Sequence, residues 1–195
     1  MKNLTRPLRY LLLLLGLALL AGCAETPKTP TDIPPRPARD SISSFSLSGR
    51  AIISRSGQAN TVRILWEHSP AADNIGFATQ LQGMIAELRR DAGGARWTTA
   101  AGDYYDARNA DVLIARLTKE PVPIAALALW VTGRVTPEAT DAQRDDKGRL
   151  ISAADHGWVI KVISYETDLP NAMPSVIEVQ SPTVQIRIAF EEYIV

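Results

Sequence analysis

Cysteine is nearly absent from this chain. Cys23 is the only one in 195 residues, so no intrachain disulfide can form. Histidine is almost as scarce: His68 and His156 are the only two, neither in a metal-spaced cluster. Both sit beside turn residues and are expected to be exposed rather than catalytic. No G-x-S-x-G stretch is present, so the nucleophile elbow of the hydrolases is missing. No G-x-x-x-x-G-K-[ST] stretch is present either, which excludes a P-loop and its nucleotide chemistry. Asp103, Asp106 and Asp111 cluster before an expected helix, where carboxylates serve as a solvated cap. No catalytic residue, metal or cofactor is therefore expected. Excess charge is also lacking, with 21 basic residues against 21 acidic ones, and nothing favours a nucleic-acid backbone. Only residues 11–20 form a long apolar run. As a helix that run spans about 15 Å, half of a ~30 Å hydrocarbon core.

What is present begins at the N-terminus. Lys2, Arg6 and Arg9 precede the apolar run, and Leu20-Ala21-Gly22-Cys23 closes it. A basic start, a short apolar stretch and small residues before a cut describe a secretory signal peptide. A cysteine at the cut resembles the lipobox of bacterial lipoproteins, where a thiolate takes up diacylglycerol. Residues 1–22 are thus expected to be removed, and Cys23 to be the lipidated first residue. Loss of the three leading cations leaves 18 basic against 21 acidic residues, a net charge of −3. Each buried methylene of the anchor contributes roughly 0.8 kcal/mol, so several long chains hold firmly. Ala24 follows the cysteine, where an Asp would by analogy retain a lipoprotein in the inner membrane. An outer-membrane address is the expectation.

Residues 23–43 read as the lipidated start and a tether. Pro27, Pro30, Pro34, Pro35 and Pro37 lie among Thr, Lys, Arg and Asp, and proline lacks the donor that helices and inner strands need. Residues 44–195 are long enough for one domain with one core.

That domain opens with strands. Phe45, Leu47, Gly49, Ala51 and Ile53 alternate with polar residues, a period of two. Val62, Ile64 and Trp66 share one face of a second strand, and Ile75, Phe77 and Thr79 one face of a third. Gln80-Leu81-Gln82-Gly83 is a turn before a strand over residues 84–88, and Gly93-Gly94 leads to a short strand around Trp97. Short links between successive strands predict an antiparallel meander. The period then changes. Residues 110–118 have helical spacing with Asn109 as cap. A second helix over residues 123–131 carries no charge and ends at Gly133. Strands resume over residues 158–165, 176–179 and 184–190, the last with Val184, Ile186, Ile188 and Phe190 on one face.

Several stretches in this order, behind a lipobox, resemble one family. They are Phe45-Ser46-Leu47-Ser48-Gly49-Arg50 with Trp66, Tyr105-Asp106-Ala107, Leu117-Thr118-Lys119-Glu120-Pro121-Val122-Pro123, Leu127-Ala128-Leu129-Trp130-Val131-Thr132-Gly133, Ala172-Met173-Pro174 and Tyr193-Ile194-Val195. The family is the LolB outer-membrane lipoprotein receptors. The resemblance implies a mainly β, α+β fold: an incompletely closed antiparallel barrel with a helical lid, similar to the periplasmic carrier LolA. It implies acceptance of acylated lipoprotein cargo from a LolA-like carrier, and insertion of that cargo into outer-membrane lipid. It also implies a monomer on the periplasmic side of the outer membrane, with no nucleic acid partner. In the family a leucine in a Pro-Leu-Gly loop enters the membrane. Leu81 is the matching residue, without the proline and two residues before Gly83, and Met84 is close by.

An acyl-chain receptor needs an apolar cavity closed to water, and a curved sheet under a charge-free helix supplies the walls. The candidate walls are Phe45, Leu47, Ile64, Trp66, Ile75 and Phe77, with Ile114, Leu117, Leu127 and Trp130 from the lid. Trp130 is expected at the cavity mouth. The same positions would be apolar in any barrel core. Two other functions use the same features: a general lipid- or glycolipid-binding lipoprotein without a carrier partner, and a scaffold that pairs through a sheet edge.

The anchor prediction is direct. Intact-mass analysis of membrane-extracted protein is expected to show an acylated N-terminus at Cys23. A mature protein with an unmodified Cys23 thiol would contradict it.

Overall fold

The alternating segments form strands in the computed structural model, which describes residue 33 and residues 35–195. The leader, Cys23 and most of the tether lie outside the described residues. Strands β1 (Phe45–Arg55), β2 (Gln58–His68), β3 (Asp73–Thr79), β4 (Gly83–Asp91), β5 (Gly94–Thr99) and β6 (Tyr104–Ala107) follow one another as an antiparallel meander. Helices α1 (Ala110–Thr118) and α2 (Ile124–Trp130) come next. A second meander completes the fold: β7 (Thr140–Arg144), β8 (Leu150–Asp155), β9 (Trp158–Tyr165), β10 (Pro174–Gln180) and β11 (Val184–Ile194).

One pairing joins the two meanders. β1 lies antiparallel to β11 from Ser46 opposite Ile194 to Arg55 opposite Val184. The result is one sheet of eleven strands in the order β6-β5-β4-β3-β2-β1-β11-β10-β9-β8-β7. β6 and β7 are its two edges and do not pair with each other, so the barrel is incompletely closed. α1 packs on β4, β5 and β6. Both helices share the sheet's hydrophobic core, with Leu113, Ile124, Ala128 and Trp130 beside Trp66, Ile160 and Ile177. The expected open barrel with a helical lid is the observed architecture. β6, β7 and β8 are additions to the strands that alternation alone disclosed. Every residue of β7 is exposed, so it has no apolar side to alternate.

Local chemistry sets the helix ends. Asn109 Oδ1 accepts from the Val112 N–H at 2.9 Å, which satisfies a donor of the first turn. Asp111 is more than a solvated cap. Its Oδ1 accepts from the Ile124 N–H at 3.0 Å and ties the start of α1 to the start of α2. Gly133, at φ +74°, turns the chain out of α2, and the Arg134 N–H reaches back to the Leu129 carbonyl. Among the described residues no helix is long and apolar enough to cross a membrane.

The chain joins the domain earlier than residue 44. The compact unit runs from Pro35 to Val195. Arg36 forms a forked pair with Glu166 and donates to the Tyr193 carbonyl at 3.0 Å, and Ile42 is buried. Proline content alone gives no sign of these contacts.

Two buried carboxylates lock the ends of the sheet. Asp73 accepts from the Trp66 indole at 2.9 Å and from Arg90 at 2.7 Å. Asp155 accepts from the Trp130 indole at 2.8 Å, and from the Thr136 N–H and hydroxyl at 2.9 and 2.6 Å. Burial pushes the Asp155 pKa up, but the Thr136, Trp130 and His156 hydrogen bonds outweigh it and bring it down to about 2. A carboxylate depressed on folding stabilises above its unfolded pKa, and that contribution is lost as pH falls through the folded value. Its stability is therefore present above about pH 4 and disappears toward pH 2, an effect of about 2 kcal/mol. Urea midpoints at pH 6 and pH 2.5 should differ more in the wild type than in Asp155→Asn. Equal differences would contradict this role.

Candidate functional site

Between the sheet and the helices lies an apolar cavity of about 300 Å³. Strand register builds its floor. Leu47, Trp66 and Ile75 are successive cross-strand neighbours on β1, β2 and β3, and Ile64 and Phe77 form the next row. On the other side Ile188 and Ile186 of β11 stand opposite Ala51 and Ile53 of β1. Ile114 of α1, Val122 of the link, and Ile124 and Leu127 of α2 form the roof. Among the lining residues only Arg55, Thr118 and Glu120 have charged or hydroxyl side chains. Such a space can hold hydrocarbon.

Seven of the ten expected wall residues line this one cavity: Leu47, Ile64, Trp66, Ile75, Phe77, Ile114 and Leu127. Three do not. Phe45 lies edge-on to Trp66 at 5.3 Å between ring centroids and stacks on His68 at 4.8 Å, a core position at the strand's start. Leu117 packs partly buried against the core. Trp130 is 0% exposed, its indole held by Asp155 and its ring 6.4 Å from that of Trp158. It is a core residue rather than a gate at the mouth. Residues that sequence reasoning did not place here include Trp97, which packs on Phe77 at 5.2 Å, and the apolar face of β11. That face was readable as a strand, but its place beside β1 is a matter of topology.

Exposure separates the two histidines. His156 is a turn residue with φ +50° and a half-exposed side chain, as expected. His68 is not exposed: its Nδ1 lies 2.6 Å from Asp73 Oδ1, under the Phe45 ring. Asp73 itself is pushed up by burial and held below the usual carboxylate range by His68, Trp66 and Arg90. The group is a structural lock on Trp66.

The strands of the β3–β4 hairpin line the cavity, and its turn lies outside the lining. Thr79 pairs with Gly83, and Gly83 at φ +69° closes the turn without steric cost. Leu81, at the tip, is 97% exposed. Met84 is 48% exposed and lies beside Leu65 and Gly76 in a groove on the sheet's outer face.

A sheet left open by its topology, roofed by helices over an apolar cavity, defines the class of lidded open-barrel proteins. Comparison with known proteins makes this specific. The family model described as outer membrane lipoprotein LolB matches residues 43–193, and the chain belongs to that family. It is 31% identical over 177 residues to the outer-membrane lipoprotein LolB of Azoarcus sp. strain BH72, covering 90% of each chain. It is 28% identical over 187 residues to that of Dechloromonas aromatica, covering 93% of this chain and 95% of the relative. A solved DUF1329 family protein from Desulfovibrio piger shares the fold, with a TM-score of 0.50 at 9% identity over 80% of this chain and 86% of that one.

Filling the cavity tests its use. Ile64→Trp has room to grow into the space, so its effect on stability should stay within about 1 kcal/mol. Binding of an uncharged apolar dye should fall at least about tenfold, an effect of about 1.4 kcal/mol. Undiminished dye binding by the folded variant would place the ligand elsewhere.

Proposed function

We propose that this protein accepts acylated lipoproteins from a soluble periplasmic carrier and inserts them into the outer membrane. The observation that supports it most is the charge-poor cavity under a helical roof, in a chain of the outer membrane lipoprotein LolB family. In this reading Cys23 anchors the protein and the domain acts as a monomer facing the periplasm. At about 300 Å³ the cavity is at the small end for ligand sites. Loading several acyl chains then requires α1 and α2 to move off the sheet.

Without a nucleotide site, transfer runs downhill. The receptor must bind acyl chains more tightly than the carrier does and less tightly than the bilayer, with ~1.4 kcal/mol giving each tenfold step. Cross-linking in cells tests the partner. Capture of a soluble lipoprotein carrier supports the receptor. Capture of phospholipid without a carrier would instead support a general lipid-binding lipoprotein.

Delivery is assigned to the hairpin tip. Leu81 is flanked by Gln80 and Gln82 and points no apolar surface into the fold. Burying it in a leaflet would contribute roughly 1.5–3 kcal/mol, enough to orient the domain but not to anchor it. Leu81→Glu is expected to accept cargo normally and to release it slowly from preloaded protein to liposomes. Transfer at the wild-type rate would remove Leu81 from the delivery step.

A further inference from the structure

The polar part of the cavity wall is gathered at one end. Arg55 is the last residue of β1, Thr118 the last of α1, and Glu120 follows two residues later. Ser181 and Thr183 from the β10–β11 turn complete the group. Glu120 is buried. It accepts from the Ser181 hydroxyl at 2.5 Å and from the Thr183 hydroxyl. Arg55 donates to the Thr118 carbonyl at 2.5 Å and lies 3.5 Å from Glu120 Oε2. Among the described residues these contacts use two of its five N–H groups, and its side chain is 40% exposed. Register places this cluster at the same end of the sheet as the Leu81 hairpin: Arg55 pairs with Gln58, and Ala78 pairs with Arg63, so the β3–β4 turn projects toward that end.

An acylated cargo is an amphiphile. Its hydrocarbon can fill the apolar part, but its polypeptide must stay in water. Between them lies a polar junction, which costs free energy unless its acceptors meet donors. The junction must therefore sit where the wall turns polar and reaches solvent, which is at Arg55. The charge balance there is selective. Burial raises the affinity of Glu120 for a proton, but Ser181, Thr183 and Arg55 lower it further, so the group remains an anion at neutral pH. Arg55 is a donor whose charge is already compensated. A neutral carbonyl can take its open N–H groups. An anionic phosphodiester would meet Glu120 as well.

Building on the receptor reading above, we infer that Arg55, positioned by Glu120 and the Thr118 carbonyl, binds the neutral ester-bearing glyceryl junction of acylated cargo and disfavours anionic phospholipid. This gives the cavity a means to tell lipoprotein anchors from the far more abundant phospholipids around them.

The test uses the whole mature chain, exported on a non-lipoprotein leader with Cys23→Ala and purified without detergent. An uncharged apolar dye reports occupancy, displaced by dioctanoylglycerol or by dioctanoylphosphatidylglycerol. These carry the same chains and differ in the headgroup. In Arg55→Met, dioctanoylglycerol should displace roughly tenfold less well, measured against that variant's own dye affinity. In Glu120→Gln, dioctanoylphosphatidylglycerol should gain roughly tenfold on dioctanoylglycerol in displacing the dye. Arg55→Met with undiminished dioctanoylglycerol displacement would overturn the inference. So would a folded Glu120→Gln with no gain for the phospholipid. Failure of the wild type to bind the dye at all would instead overturn the cavity reading, and this inference with it.

Discussion

The pairing of β1 with β11 is the constraint from which the rest follows. It joins two meanders that would otherwise be separate sheets, and it places β1 at the centre of eleven strands. Because the strand order is linear, the outermost strands β6 and β7 stay apart. A curved apolar face that its own sheet does not close must be covered by something else. The segment between β6 and β7 meets that need. It carries α1, which buries one face through Ala110, Leu113 and Ile114, and α2, which buries Ile124, Ala126, Ala128 and Trp130.

The helices cover the face without filling it. The core is dense where Trp130, Trp158, Ile160 and Ile177 meet, and open where Ile64, Phe77 and Leu127 face one another. Two carboxylates help to hold that difference. Asp73 fixes Trp66 at one wall, and Asp155 pins Trp130 to the β8–β9 turn and draws the end of α2 onto the second meander. The link between the helices has its own polar attachment, with Glu120 held by the β10–β11 turn. α2 is thus fastened on both sides. Between them the Trp158 indole donates to the Pro121 carbonyl at 3.2 Å, and the Val122, Ile124 and Leu127 side chains meet the cavity through apolar surface. Such contacts can be exchanged for those of a hydrocarbon chain at little cost.

Much of this was legible in the residues. Period-two alternation marked β1, β2, β3 and β11, and the change to helical spacing after Asn109 marked the lid. Short apolar helices are harder to orient, because a helix with no polar face does not say which side is inward. For that reason Trp130 was expected at the mouth. Its partner Asp155 lies 25 residues away, and no local pattern links the two. Phe45 was misplaced similarly: alternation assigned it to the inner face correctly, but depth along the strand decides between cavity and core. His68 looked like a turn residue because Ser69 and Pro70 follow it, and its burial comes from Phe45 and Asp73 across the strand pair. β7 and β8 were missed because a wholly exposed strand and a short weakly alternating one carry little periodic signal.

The central claim is that acyl chains lie between the sheet and the helices. Photo-cross-linking measures it most directly. A photoreactive residue in place of Leu127 or Ile64, both at the cavity, is compared with one in place of Ile52, which is 40% exposed on the opposite face of β1. After loading with an acylated lipoprotein, the account predicts adducts on the acyl chains from positions 127 and 64 and none from position 52. Adducts from position 52 alone would place the chains outside the cavity and contradict it.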